Sequence, residues 1–114
     1  MELKDKRVAI IGLGLTGKAT ARFLTARGAR LTVTDERPAA LAAEALAGLL
    51  PAAADLRVVP CGPELLTGAD LVIPSPGVYP THPLLVEALR LGIPVLSELE
   101  LAGRFVTTRR GWVG

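Results

Sequence analysis

The chain has 114 residues and a mass of 11.9 kDa, with 50% hydrophobic residues, 4% aromatics and a formal net charge of +2. That size holds one domain, and folding buries about 65% of the extended chain's surface, enough for a single core built from Ala, Leu, Val and Ile. The basic residues are scattered rather than gathered into a stripe with interleaved aromatics, which argues against nucleic acid. No apolar stretch approaches the roughly 20 residues of a bilayer span, and the start has no signal-peptide layout, so a cytoplasmic protein without membrane contact is expected.

In chain order, the first predicted strand is Arg7–Ile11, apolar throughout after its opening arginine. Directly behind it stands Gly12-Leu13-Gly14-Leu15-Thr16-Gly17, the spacing G-x-G-x-x-G, and then a helix from about Thr16 to Ala26. In a strand–turn–helix, Gly12 allows the tight turn, Gly14 lets the backbone approach a pyrophosphate, and Gly17 lets helix and strand pack closely. Free N–H groups of the first helical turn point at the anion, and the helix dipole adds about 0.3–1 kcal/mol per favourable charge. Thr16 caps the helix or donates its hydroxyl to a phosphate. The same spacing also occurs in glycine-rich turns that bind nothing.

Gly12 to Lys18 also fits the first seven positions of a triphosphate-cradling P-loop, but the eighth is Ala19. Thr20 comes one residue late, about 100° round the helix, out of reach of a Mg²⁺ ion. This chain alone is therefore expected neither to use nor to hydrolyse ATP, and Lys18 reads as a solvated first-turn cation.

Gly28 closes that helix as a left-handed cap. The second strand, Arg30–Thr34, runs into Asp35-Glu36-Arg37. A carboxylate at this edge accepts a hydrogen bond from a ribose hydroxyl of NAD, or equally from the imide N–H of a uracil. Arg37 is a planar cation able to stack on a base or meet a phosphate. An N-cap at Asp35 or Glu36, or a surface ion pair, is the plainer use of the same residues.

A helix is predicted from Ala39 to Leu50, a third strand at Leu56–Val59 and a short helix at Pro63–Thr67. The fourth strand, Leu71–Ile73, leads into Pro74-Ser75-Pro76-Gly77-Val78, a hydroxyl set among turn-formers. With strand order 3-2-1-4-5, this turn lies beside the first strand at the carboxyl edge, where the order reverses and ligands bind. Ser75 and the backbone at Gly77 would then close over whatever rests on the glycines. Alone, Ser-Pro-Gly is an ordinary structural turn.

A helix from His82 to Leu91 ends at Gly92, a weaker strand follows at Pro94–Leu96, and Leu99–Phe105 reads as another amphipathic helix. His82 has no Cys or His partner at metal spacing and reads as a cap or surface residue. Tyr79 is expected to pack over the Ser-Pro-Gly turn. Glu98 and Glu100, two residues apart, cannot face each other as an acid/base pair. Cys61 is the only cysteine, so no internal disulfide forms, and nothing near it favours a reactive thiolate. Trp112-Val113-Gly114 reads as the start of a strand that is cut off, so a truncated piece of a longer protein is expected.

Apolar runs spaced about 25 residues apart, alternating with helices, predict a parallel sheet covered on both faces. The fold class is therefore α/β: a Rossmann-like, open, doubly wound sheet of about five parallel strands in order 3-2-1-4-5, one domain over residues 1–114, flanked by helices. The chain lacks Asn and Gln and favours Arg over Lys. A hot-living source and a GC-rich genome both account for that.

Taken together, the glycine motif, Asp35-x-Arg37, Ser75-Pro76-Gly77-Val78, His82-Pro83 and Ser97-Glu98-Leu99-Glu100-Leu101 resemble the N-terminal domain of the Mur ligases over essentially the whole chain. Within that family the pattern is similar to the members that join D-glutamate to UDP-N-acetylmuramoyl-L-alanine. The resemblance implies a domain that holds UDP rather than NAD. Backbone amides at Leu15 and Thr16, between Gly14 and Gly17, would take the diphosphate; Asp35, Glu36 and Arg37 the uracil; Ser75, Pro76 and Gly77 would flank the nucleotide. Glu36 departs from the Thr of some relatives, and Lys18 stands where a small or apolar residue is frequent.

The resemblance also implies ATP-dependent amide formation through an acyl phosphate in peptidoglycan synthesis. ATP and Mg²⁺ would sit in a central domain, and D-glutamate largely with a C-terminal one. Neither lies in this chain, for which no catalytic residue, metal ligand or cofactor of its own is expected, nor an oligomer. Two other classes share the glycines: an NAD-binding domain of an oxidoreductase, which also shares Asp35, and a regulatory nucleotide-binding module with no enzyme attached.

Overall fold

The computed structural model describes residues 3–12, 15–35, 44, 46, 56–60 and 62–103. Along the chain lie β1 (Arg7–Ile11), α1 (Leu15–Ala26), β2 (Arg30–Thr34), β3 (Leu56–Val58), a 3₁₀ turn at Pro63–Leu66, β4 (Leu71–Pro74) and α2 (Pro83–Arg90). Residues 98–103 are helical as well. The helix predicted from Ala39 to Leu50 lies outside the described residues, except that Glu44 and Leu46 are helical.

Four strands form one parallel sheet in the order β3-β2-β1-β4. The apolar runs of β1 and β4 have the expected cause, both faces of the sheet being covered there, whereas β2 carries Thr32 and Thr34 and β3 the exposed Arg57. Val8, Ile10, Leu31, Val33, Leu71 and Ile73 point to one face, where Ala21 and Leu24 of α1, Leu46, Leu96 and Leu101 complete a buried cluster. Ala9, Ile11 and Val72 point to the other, against Leu65 and Leu66 of the 3₁₀ turn and Leu84, Leu85 and Ala88 of α2.

The fifth strand shrinks to one parallel bridge, Val72 with Val95. The Val72 N–H donates to the Pro94 carbonyl at 2.9 Å, and the Leu96 N–H donates to the Val72 carbonyl at 3.0 Å. The next rung on that side of β4 falls to residue 74, and Pro74 has no N–H to donate. The ladder stops there, leaving four strands.

Helix ends follow local chemistry. The caps expected at Gly28 and Gly92 are left-handed, with φ of +83° and +77°. After Leu24, the Gly28 N–H donates to the Thr25 carbonyl and the Ala29 N–H to the Leu24 carbonyl, closing α1. At the start of α2, Pro83 occupies the first turn and His82 is the N-cap, its Nδ1 accepting the Leu84 N–H at 3.1 Å. That is the capping role expected of His82.

Candidate functional site

The register of the sheet assembles the site. Ile11 of β1 pairs with Thr34 of β2 on one side and with Pro74 of β4 on the other. The residues that follow, Gly12, Asp35 and Ser75, therefore leave three neighbouring strands at the same level of the carboxyl edge. Adjacent strands lie about 4.8 Å apart, so Asp35 and Ser75 flank Gly12 about 10 Å from each other. Two main-chain bonds fix the arrangement: Gly12 N–H to the Thr34 carbonyl and Ser75 N–H to the Ile11 carbonyl, both 2.8 Å.

Gly12 has φ of +89°, as its turn role requires, and a closer reason for glycine emerges as well. A Cβ built there would stand 2.8 Å from Ser75 Oγ and 3.2 Å from Ser75 Cβ. The loop after β4 thus rests directly on the first glycine of the motif. The Val78 N–H donates to the Ser75 carbonyl at 3.0 Å, making a tight turn with Pro76 and Gly77, both exposed, at its centre. Tyr79 is 78% exposed, so the expected packing of its ring over this turn does not occur.

Two residues after Gly12, α1 begins at Leu15. The backbone N–H groups of Leu15, Thr16 and Gly17 have no acceptor within the helix, and the positive end of its dipole lies there. Its first turn carries no acidic side chain that would compete with an anion. Thr16 lies in this first turn, and its side chain is outside what the structure describes. Asp35 is half-buried and takes part in an interaction of its own. Gly14, Glu36 and Arg37 lie outside the described residues, as do Cys61 and Trp112. The structure thus brings together Gly12, the α1 N-terminus, Asp35 and the Ser75-Pro76-Gly77 turn.

Two described residues bear on the near-match to a P-loop. The Thr20 hydroxyl is taken up by Glu98, to whose Oε2 it donates at 2.5 Å, and Ala19 is exposed. Among the described residues no group of three His, Cys, Asp or Glu side chains is placed to hold a metal ion.

The Thr20–Glu98 contact lies in a cleft of about 260 Å³ lined by Ala19, Phe23, Leu101 and Ala102. Sequence reading missed it by comparing Glu98 only with Glu100. Those two carboxylates serve separate partners. The Glu100 carboxylate accepts the Ser97 N–H while the Ser97 hydroxyl accepts the Glu100 N–H, both at 3.0 Å. This capping box was legible as Ser-x-x-Glu.

Fold and site together define a Rossmann-like α/β domain with its glycine turn at the point where strand order reverses. A family model described as "Mur ligase MurD-like, N-terminal domain" matches residues 6–97, and the chain belongs to that family. A relative from Syntrophus aciditrophicus, named UDP-N-acetylmuramoylalanine–D-glutamate ligase, is 44% identical over 109 residues, covering 95% of this chain and 24% of that protein. Relatives of the same name from Trichlorobacter lovleyi and Anaeromyxobacter dehalogenans are 46% and 47% identical, covering 94% and 92% of this chain and 24% and 22% of theirs. The chain thus spans about a quarter of the length of these relatives.

Among solved structures, shikimate dehydrogenase from Aquifex aeolicus is similar with a TM-score of 0.64 at 19% identity, covering 89% of this chain and 45% of that one. D-lactate dehydrogenase from Escherichia coli follows at a TM-score of 0.58 and 26% identity, covering 85% of this chain and 29% of that one. These likenesses establish the Rossmann-like fold.

Proposed function

We propose that this chain is the UDP-binding N-terminal domain of a UDP-N-acetylmuramoyl-L-alanine:D-glutamate ligase of peptidoglycan synthesis. The observation that carries the reading is the meeting of the α1 N-terminus, Asp35 and the Ser75 turn at one sheet edge, in a chain whose relatives bear that name. The diphosphate lies on the backbone amides of Leu15 and Thr16, where fixed dipoles replace its hydration. Asp35, with Glu36 and Arg37, holds the uracil, its carboxylate accepting the imide N–H. Ser75, Pro76 and Gly77 wall the nucleotide on the side of β4.

The domain orients the substrate and supplies no reacting group. ATP and Mg²⁺ act in the remainder of the whole enzyme, where phosphorylation of the substrate carboxylate prepares it for attack by the amine of D-glutamate. The whole enzyme works as a cytoplasmic monomer. Among the described residues, no helix is long and apolar enough to cross a membrane.

Calorimetric titration of the chain with UDP, UDP-N-acetylmuramoyl-L-alanine and NADH tests the reading. Binding of both uridine ligands with NADH ignored is expected, and Asp35→Asn weakens UDP more than inorganic diphosphate. Tight NADH binding with UDP ignored would instead assign an oxidoreductase domain.

A further inference from the structure

Thr20 and Glu98 stand 78 residues apart in sequence, and their side chains meet beside α1. Thr20 is 8% exposed, and its hydroxyl donates to Glu98 Oε2. The other oxygen, Glu98 Oε1, is buried and accepts no hydrogen bond. A carboxylate oxygen closed off from water without a donor is a destabilising feature, and such groups call for an explanation. The surroundings do not supply one, since the cleft wall is otherwise Ala19, Phe23, Leu101 and Ala102. A leucine would fill this cleft without the orphaned carboxylate oxygen, but would take away the partner of the Thr20 hydroxyl. What glutamate adds is the bond to Thr20.

That bond is a directional contact on a helix whose other buried side chains, among those described, are apolar. Of its side chains from Lys18 to Ala26, only Thr20, Ala21 and Leu24 are buried. Ala21 and Leu24 rest in the apolar cluster on the sheet, and non-directional apolar contact resists lifting off far more than sliding along the axis. The Thr20 hydroxyl adds a directional contact along that axis. It acts five residues, about 7.5 Å of helix rise, from the amide of Leu15. Its acceptor is itself held, because the Ser97–Glu100 box caps the turn that carries Glu98.

We propose that the Thr20–Glu98 hydrogen bond is a positioning clamp: it sets the α1 N-terminus at the height the diphosphate of the uridine ligand requires, and couples ligand binding to the helix at 98–103. The inference rests on the UDP-binding role proposed above. By linkage, a diphosphate seated on the amides of Leu15 and Thr16 strengthens the clamp as much as the clamp strengthens binding.

The test uses the chain with Thr20→Val, Thr20→Ser and Glu98→Leu, following UDP affinity by calorimetry, Tm, and amide exchange of residues 19–22. Thr20→Val and Glu98→Leu are expected to weaken UDP binding about fivefold, the weight of one hydrogen bond, while Thr20→Ser stays within about twofold of the parent. Glu98→Leu trades the orphaned carboxylate oxygen for an unpartnered Thr20 hydroxyl, so Tm changes little while affinity falls, a split that a merely structural contact does not give. The proposal is overturned if both Thr20→Val and Glu98→Leu bind UDP within about twofold of the parent, or if affinity falls only in step with Tm. If the parent chain ignores UDP, the function proposed above fails and the clamp fails with it, whereas a parent that binds UDP with both variants unimpaired overturns the clamp alone.

Discussion

Replacing Gly12 with alanine separates two physical reasons for glycine at the head of the motif. The first is backbone: at φ of +89° an L-residue is strained, which costs about 1–2 kcal/mol. The second is contact, because the new methyl would sit 2.8 Å from Ser75 Oγ and 3.2 Å from Ser75 Cβ. The hydroxyl can rotate away, but the Cβ belongs to a loop tied to β1 by the Ser75 N–H bond to Ile11. Relieving that overlap costs about a further 1–3 kcal/mol. The sum, about 2–5 kcal/mol, is a large share of the 5–15 kcal/mol that stabilises a typical domain.

Gly92→Ala isolates the first part, since Gly92 has φ of +77° and nothing within 4 Å of the place a methyl would take. Urea unfolding followed by circular dichroism reads both variants. Gly12→Ala is expected to lower the midpoint by about 1–3 M, and Gly92→Ala by roughly half as much or less. Adding Ser75→Gly to Gly12→Ala recovers the contact part and leaves the backbone part. If Gly12→Ala loses no more stability than Gly92→Ala, the close packing of the β4 loop on the motif is wrong.

Leu24→Ala removes a large side chain of α1 that is wholly buried on the sheet and is expected to cost about 3 kcal/mol in the same assay. His82→Ala deletes the Nδ1 acceptor for the Leu84 N–H and costs about 1 kcal/mol, read as a fall of about 4–8 °C in Tm. On the outer face of α2, hydrogen bonding from Arg90 holds the Glu87 carboxyl below its ordinary value. A lowered folded-state value means the pair's contribution is present above the ordinary carboxyl range and is lost as pH falls through the folded value. Arg90→Ala should move the Glu87 titration upward in NMR, and high salt should reproduce much of that shift, because both groups are exposed.

The frame of the fold was readable because two independent signals agreed. β1 and β2 lie where the β-branched apolar runs lie, to the residue, and the glycines after α1 and α2 stand at left-handed ends. Pro94–Leu96 looked like a strand by composition, but its pairing depended on a donor in a different strand, and Pro74 lacks one. The site was legible in part. Gly12, Asp35 and Ser75 each carried a local cue, yet only the parallel register places them level. The packing of Ser75 on Gly12 and the bond between Thr20 and Glu98 have no local signature: each joins residues more than sixty positions apart, through side chains that are ordinary in their own segments.

β1 and β4 are neighbours, but the chain leaves them for opposite sides of the molecule, α1 covering one face and α2 the other. A furrow opens between the two departing backbones whatever residues line it, much as a seam parts when cloth is folded both ways. Among the described residues, the hydroxymethyl group of Ser75 lies across Gly12 on its floor. A bulkier residue at 75 would raise that floor without disturbing a strand, so a side chain as well as the architecture sets the depth of the furrow.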